Sequence, residues 1–166
     1  MARIELPEGT GPEVGLALQL APHFAEVVNA YEKACARSPL DRRLHEVVRI
    51  RVAHVNQCTL CLTWRNADWG ASEDLIAAVP QWRESDLFTP AERVALEYAE
   101  RFATDSANID DDMLERLGAE LTPAQIVDLT LVVGKYLAMG RFMQVLGLDQ
   151  VCNISYDDSG TLVVTT

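Results

Sequence analysis

The sequence predicts an all-helical fold, and two observations support this prediction. Three pairs of a hydroxyl residue followed by proline mark predicted helix starts: Ser38–Pro39, Thr89–Pro90 and Thr122–Pro123. In each pair the hydroxyl group can cap the helix, and the proline suits the first helical position. A polar residue shortly after each cap can reach back to complete a capping box. The segments that follow have apolar residues at spacings of three and four, which is the pattern of one helix face.

The length and composition fit a single globular domain. The chain has 166 residues, of which 49% are apolar and 23% are charged, so it is long enough to bury a core. We expect one domain over residues 1–166, with its core at about residues 20–147. The formal net charge of −11 argues against non-specific binding to nucleic acid, which needs a basic surface. It also argues against docking on an anionic membrane.

The sequence also bears on the compartment. Its N-terminus lacks a basic region followed by an apolar run, so no secretory signal is expected. The longest apolar region, residues 126–146, is interrupted by Asp128, Lys135 and Arg141, and a membrane span is therefore not expected. We predict a cytoplasmic protein. Four cysteines in such a protein indicate redox or metal chemistry more than a structural disulfide framework.

The predicted helices can be placed in order along the chain. Residues 1–12 form an irregular arm in this prediction, because prolines and glycines recur there. The predicted helices then span about residues 13–21, 22–37, 39–55, 58–70, 72–79, 90–104, 111–117 and 123–146. The helix over residues 123–146 is apolar nearly all round, which is typical of a helix at the centre of a core or under a partner subunit. Gly134 and Gly140 lie inside it, and the close approach of another helix would explain them.

The tail, residues 151–166, differs from the helical part. Ile154–Tyr156 and residues 162–164 flank a polar stretch, so the tail is expected to be either a small β-hairpin or an extended arm. Cys152 in this tail is predicted to be a bystander thiol.

Other conspicuous side chains are expected to be structural. Cys35 lies on the apolar stripe of the helix over residues 22–37, which predicts a small buried apolar residue. Trp64, Trp69 and Trp82 are expected in the core or in an interface rather than at a ligand, because each must bury a large area.

Cys58 and Cys61 form the chemical centre of the sequence. Their spacing places them one turn apart on one side of a helix. Such a pair either shuttles between dithiol and disulfide or supplies half of a zinc site, which needs four ligands. No second Cys or His pair has metal spacing, so redox chemistry is favoured and no metal is predicted. Asn56 and Gln57 interrupt the apolar pattern, and if the helix restarts there, its N-terminus favours a thiolate at Cys58.

Two further residues near the cysteines have two interpretations each. Glu46 lies in an otherwise apolar helix, where a buried carboxyl group with a raised pKa could accept a thiol proton. Alternatively it is a surface residue paired with Arg42 or Arg49, and the residues alone favour this second interpretation. His54 could approach the thiols or could simply be a half-buried polar residue.

These residues together resemble a known family. The segment from Glu46 to Cys61 reads EVVRIRVAHVNQCTLC, and it is similar to the carboxymuconolactone decarboxylase and alkylhydroperoxidase AhpD-like superfamily. The resemblance extends through the segments that begin at Gly70, Thr89 and Thr122, so it covers about residues 20–147.

The resemblance implies an AhpD-like helical bundle that assembles as a homo-oligomer, a trimer or a hexamer. It implies that Cys58 and Cys61 reduce a peroxide or another disulfide, with Glu46 assisting proton transfer. The family's histidine, four residues after the second cysteine, is Arg65 here, which stays protonated and is no base near neutral pH. Arg65 could still lower a thiol pKa or bind an anionic substrate, and His54 is a candidate substitute for the histidine.

Three functional hypotheses follow. The first is a thiol–disulfide oxidoreductase or peroxidase that needs an external thiol reductant and no cofactor. The second is a decarboxylase-like enzyme for an organic acid or lactone, in which Arg65 binds the carboxylate. The third is a non-catalytic, redox-sensing helical oligomer. Within the first, the helix N-terminus favours Cys58 as the attacking residue, whereas the family resemblance favours Cys61.

Overall fold

The computed structural model describes residues 2–149 and the backbone of residues 153–156 and 162–165. Within these residues the α-helices are α1 Glu13–Gln19, α2 Pro22–Cys35, α3 Arg42–Asn56, α4 Thr59–Thr63, α5 Glu73–Ala78, α6 Pro90–Thr104, α7 Asp111–Glu120 and α8 Pro123–Leu146. Short 3-10 turns cover Ala67–Trp69, Val79–Glu84 and Ser106–Asn108. The prediction of an all-helical fold is confirmed.

Helix α3 lies at the centre of the fold, packed mainly against α6 and α8. One side of α3 contributes Val48 and Val52 to a core shared with α6, α7 and α8. Its opposite side contributes Val47 and Ile50 to a second cluster, which it shares with α5 and the Val79–Glu84 turn. Burial on both sides means that every polar side chain on the middle of α3 must find partners inside the protein.

Two of the three predicted helix starts are confirmed, and the third is wrong. Thr89 and Thr122 cap α6 and α8, and each forms a complete capping box. Helix α3, in contrast, begins at Arg42, because the carboxylate of Asp41 accepts a hydrogen bond from the Leu44 N–H at 3.0 Å. Asp41 is a strong N-cap residue in its own right. The Ser38 hydroxyl instead accepts from the Leu40 N–H and donates to Asp128 on α8.

Two predicted helix ends are also corrected. The helix after Cys58 was expected to reach Gly70, but α4 ends at Thr63, and Gly70 follows a separate 3-10 turn with a positive φ of 73°. Helix α7 was expected to stop at Gly118 but continues to Glu120. A glycine inside a helix costs only about 1 kcal/mol, which buried packing can offset. On α7 that packing comes from the buried side chains of Met113 and Leu117.

The C-terminal strands β1 Asn153–Tyr156 and β2 Leu162–Thr165 pair antiparallel, with Ile154 opposite Val164. Of the two interpretations of the tail, the hairpin is therefore the one observed. The residues between the strands, and Cys152, lie outside the described residues. Among the helices that the structure describes, none combines the length and the apolar character that a membrane span needs.

The two glycines of α8 have different surroundings. A Cβ added at Gly140 would collide with the side-chain amide of Asn56, whereas one added at Gly134 would meet no atom within 4 Å. The predicted close approach is therefore found at Gly140.

Alanine substitution should separate these two glycines. We expect Gly140→Ala to lower the free energy of unfolding by about 1–3 kcal/mol, because the added methyl group overpacks the α3–α8 contact. Gly134→Ala should raise it by up to about 1 kcal/mol, because alanine favours helix. Urea unfolding of both variants measures these changes. Equal effects at the two positions would contradict the placement of the close helix contact at Gly140.

Candidate active site

The cysteine pair occupies the junction between α3 and α4. Helix α3 ends at Asn56, and Gln57 takes a left-handed conformation with φ of 53°, which turns the chain into α4. Cys58 is the N-cap residue of α4, and its Sγ accepts a hydrogen bond from the Cys61 N–H at 3.3 Å. The predicted helix restart at Cys58 is confirmed. The two sulfurs are joined in a disulfide, with a Cα–Cα distance of 5.3 Å.

The two cysteines differ in their access to the outside. Cys58 is completely buried, with 0% of its surface exposed, whereas Cys61 is partly exposed. Cys61 lines a cavity of about 370 Å³, and Cys58 is not among its lining residues. The cavity wall is largely apolar, and Arg49, Lys135 and Tyr136 contribute polar groups to it. A cavity of this size and character is typical of a small-molecule site.

Glu46 is buried and paired with Arg49. Only 1% of Glu46 is exposed, and Arg49 donates to it through Nε at 2.9 Å and through Nη2 at 2.6 Å. Asn66 adds a hydrogen bond from Nδ2 at 2.8 Å. Burial by itself raises the pKa of Glu46, but the hydrogen bonds and positive charge of Arg49, with the hydrogen bonds of Asn66, bring that pKa below its usual value. The predicted pairing with Arg49 is confirmed, the predicted surface position is wrong, and so is the raised pKa.

Arg49 also binds the backbone that follows the cysteines. Its Nη1 donates to the Cys61 carbonyl at 2.6 Å, and its Nη2 donates to the Trp64 carbonyl at 2.7 Å. The Glu46–Arg49 pair therefore fixes the end of α4 against the middle of α3. From the sequence, Arg49 is expected only as a partner for Glu46. No local pattern marks Arg49 as buried, because its helix neighbours Val48 and Ile50 face other directions.

Arg65 lies apart from the cavity lining. Its Nε is 3.0 Å from Glu73 Oε1, and its Nη1 donates to the carbonyls of Leu62 and Trp64. None of its described contacts involves a cysteine sulfur. The guanidinium that lines the cavity beside Cys61 belongs to Arg49 instead. A role for Arg65 in catalysis stays a prediction.

His54 is half-buried near the end of α3. Burial, followed by the positive charge of Arg51, lowers the pKa of His54. Among the described contacts, none joins its ring to Cys58 or Cys61, so its substitution for the family's histidine stays a prediction.

A second polar group, which the sequence did not reveal, lines the same cavity as Cys61. Tyr136 on α8 lines the cavity, and its hydroxyl is 3.1 Å from Nε2 of His45 on α3. His45 is only 2% exposed. Lys135 pairs with Glu32 of α2 at 2.7 Å, and its ammonium group lies 3.8 Å from the centre of the Tyr136 ring. These residues are far apart in the sequence, so no local pattern predicts that they meet.

The three tryptophans and Cys35 were expected to have structural roles, and this expectation holds for only some of them. Trp82 is buried, and its Nε1 donates to Glu100 at 3.1 Å. Trp69 packs against the His45 ring at 4.6 Å between ring centres. Trp64, in contrast, lines the cavity. Cys35 is buried, as predicted.

Comparison with known proteins supports the family resemblance. The model of the carboxymuconolactone decarboxylase family matches residues 22–101, which include α2, α3, α4, α5 and most of α6. The crystal structure of Agrobacterium tumefaciens ATU0492, whose name includes "Putative Antioxidant Defence Protein AhpD", shares 25% sequence identity with a TM-score of 0.74. The match covers 89% of this chain and 96% of ATU0492. Residues 22–101 thus match the carboxymuconolactone decarboxylase family, and the chain as a whole has an AhpD-like fold.

Two other similar proteins show how widely the matched proteins differ. The Bacillus subtilis protein YdfG is 27% identical over 133 residues, which cover 78% of this chain and 90% of YdfG. The debrominase Bmp8, solved as a variant in complex with 2,3,4-tribromopyrrole, has a TM-score of 0.74 at 16% identity. That match covers 85% of this chain and 78% of Bmp8, and at this identity it shows the fold alone. The AhpD-like fold thus belongs to enzymes with different reactions.

Proposed function

We propose that this AhpD-like protein is a dithiol oxidoreductase that reduces peroxides or disulfides, with Cys61 as the attacking residue and Cys58 as the resolving residue. The observation that carries this proposal is the asymmetry of the pair. The two sulfurs are within bonding distance, and Cys61 lines the cavity while Cys58 is buried. A substrate in the cavity would therefore meet the sulfur of Cys61 first.

The proposed cycle has three steps. The thiolate of Cys61 attacks the outer oxygen of a hydroperoxide, so an S–O bond forms, the O–O bond breaks and the alcohol leaves with a proton. The thiol of Cys58 then attacks the sulfenic acid at Cys61, and a disulfide and water are formed. An external dithiol reductant restores both thiols by exchange at Cys61.

The Glu46–Arg49 pair has a positioning role in this proposal. Because its pKa lies below the usual value, Glu46 is a carboxylate near neutral pH and has no proton to give. Its charge is instead matched by Arg49, which holds the carbonyl groups of Cys61 and Trp64. The pair thereby keeps the attacking cysteine at the cavity wall.

Several exposed apolar side chains fit the homo-oligomer that the family resemblance implies. Phe24 and Val27 on α2 are each 60% exposed, and Val127 and Leu131 on α8 are 61% and 55% exposed. Contact between copies would remove these side chains from water. We propose self-association through α2 and α8 on this ground.

Separate cysteine variants test the proposed function. With a small dithiol as reductant, Cys61→Ser should lose at least about 10³-fold in peroxide turnover, because the nucleophile is gone. Cys58→Ser, first reduced and then assayed without added reductant, should consume about one equivalent of peroxide, because Cys61 can still reach the sulfenic acid but no second thiol remains to resolve it. Peroxide consumption and mass spectrometry of the sulfenic acid measure the two outcomes.

The buried Cys35 supplies the control for these variants. Cys35→Ser should keep turnover, since Cys35 does not line the cavity. Unchanged turnover in both Cys58→Ser and Cys61→Ser would overturn the proposed function. A wild-type protein without turnover, whose partner binding changes on oxidation, would favour the redox-sensing alternative.

An organic-acid enzyme is the second candidate, and one observation favours it. Lys135, which is 4% exposed, and the buried Arg49 both line the cavity, so two cations border it, paired with Glu32 and Glu46 respectively. Turnover of a lactone or an organic acid that survives both cysteine substitutions would favour this candidate.

A further inference from the structure

Reduction of a hydroperoxide needs an acid as well as a nucleophile. When the O–O bond breaks, the leaving oxygen becomes an alkoxide unless a group in the site gives it a proton. Glu46 is held as a carboxylate by Arg49. Arg65, at the position of the family's histidine, lies outside the cavity lining and binds Glu73. Neither of these two residues is therefore placed to give that proton.

The hydroxyl group of Tyr136 is placed to be that acid. Tyr136 and Cys61 line the same cavity of about 370 Å³, which is small enough for one bound hydroperoxide to reach both. The hydroxyl is 3.1 Å from Nε2 of His45, whose ring is buried between Tyr136 and Trp69. The Tyr136 side chain thus borders the cavity and contacts a buried imidazole.

The protonation states suit this role. Burial raises the pKa of Tyr136, so the phenol keeps its proton near neutral pH while still being a stronger acid than an aliphatic alcohol. Burial, with the nearby charge of Lys135, lowers the pKa of His45 to about 4, so its imidazole is neutral. A neutral imidazole with its proton on Nε2 can donate to the Tyr136 oxygen and stabilise a phenolate.

We propose that Tyr136 donates the proton to the alcohol leaving group when Cys61 reduces a hydroperoxide, and that His45 positions the Tyr136 hydroxyl; this inference rests on the peroxidase function proposed above. Two electrons pass from the Cys61 sulfur to the outer oxygen, and the O–O bond breaks. The inner oxygen takes the Tyr136 proton and leaves as the alcohol. The phenolate accepts a hydrogen bond from His45 and then regains a proton from water.

Tyr136→Phe tests this proposal, because it removes only the hydroxyl group. The measurement is kcat/KM for the wild type and the variant with two classes of oxidant. An alkyl hydroperoxide releases an alkoxide, which needs a proton. A peroxycarboxylic acid releases a carboxylate, which does not. We expect Tyr136→Phe to lose about 10²-fold with the alkyl hydroperoxide, within the range of general acid catalysis, and less than about threefold with the peroxycarboxylic acid.

A purely structural role for Tyr136 predicts a different result. Loss of the hydroxyl group would then lower both rates by the same factor, and that outcome, like unchanged rates with both oxidants, would overturn the proposal. If the wild type consumes neither oxidant, the peroxidase function itself fails and the inference falls with it. The two failures are therefore distinguishable.

The role of His45 is tested by a pair of variants. His45→Phe removes the hydrogen bond to Tyr136 and should lose about tenfold with the alkyl hydroperoxide only. His45→Gln keeps a neutral N–H donor and should recover part of this loss. Equal rates for the two variants with the alkyl hydroperoxide would overturn the positioning role of His45.

Discussion

Replacing Arg49 with methionine should lower the free energy of unfolding by about 3–5 kcal/mol, the range for breaking one half of a buried ion pair. The variant would leave the carboxylate of Glu46, which is 1% exposed, without its charged partner. It would also remove the donors that now bind the carbonyl groups of Cys61 and Trp64. Urea unfolding of the oxidised protein at one fixed protein concentration measures the change.

Arg65→Met is the matched control for this prediction, because it is the same substitution in an exposed pair. Arg65 binds Glu73, whose side chain is 75% exposed, so its loss should cost about 0–1 kcal/mol. The double variant Glu46→Leu with Arg49→Met should recover part of the stability, since neither buried charge remains. If Arg49→Met and Arg65→Met were equally stable, the buried pair would not have the importance that its geometry indicates.

Acid should destabilise the protein through His45 in a pH range where most carboxyl groups are still ionised. The folded protein holds the pKa of His45 at about 4, below its ordinary value of 6.5, because burial and the positive charges of Lys135 and Arg49 outweigh the attraction of Glu46. The unfolded chain therefore binds a proton before the folded protein does. The stabilisation by neutral His45 is complete above pH 6.5 and is lost as the pH falls towards 4.

The size of this effect follows from the shift. Between pH 7 and pH 5 the wild type should lose about 2 kcal/mol more than His45→Gln does, at about 1.36 kcal/mol for each pKa unit. Urea unfolding at pH 7, 6 and 5 gives the comparison. Glu46 contributes at lower pH, because its pKa lies below 4.5 in the folded state, and its stabilisation is lost as the pH falls below that value.

The exposed His23 provides the control for this pH dependence. His23→Gln, the same substitution at an exposed position, should show the wild-type loss of stability between pH 7 and pH 5. A His45→Gln curve that is also parallel to the wild type would show that His45 is not the group responsible.

Local features of this fold could be predicted from the sequence, because the residues that make them are neighbours. The capping boxes at Thr89 and Thr122 need only residues three positions apart. The start of α4 at Cys58 was visible because Asn56 and Gln57 break the apolar pattern. The start of α3 could not be predicted because Ser38 and Asp41 are both good N-cap residues. Asp41 caps the helix, while the Ser38 hydroxyl donates a hydrogen bond to the distant Asp128.

The contacts that build the site could not be predicted in the same way. Whether Glu46 and Arg49 pair at the surface or inside depends on residues 61–66, which pack over this part of α3 only after folding. Asn66 reaches Glu46 from twenty residues away, and Tyr136 reaches His45 from another helix. A helical pattern shows which face is apolar, but not which polar side chains from distant segments meet beneath it.

The complete burial of Cys58 means that both halves of the proposed cycle share one entrance. The oxidant must reach Cys61 from the cavity, and the reductant that reopens the disulfide must reach the same sulfur along the same route. Oxidant and reductant therefore take turns, and a high concentration of either one excludes the other. In the proposed cycle, the overall rate then depends on how quickly the alcohol product dissociates from the cavity.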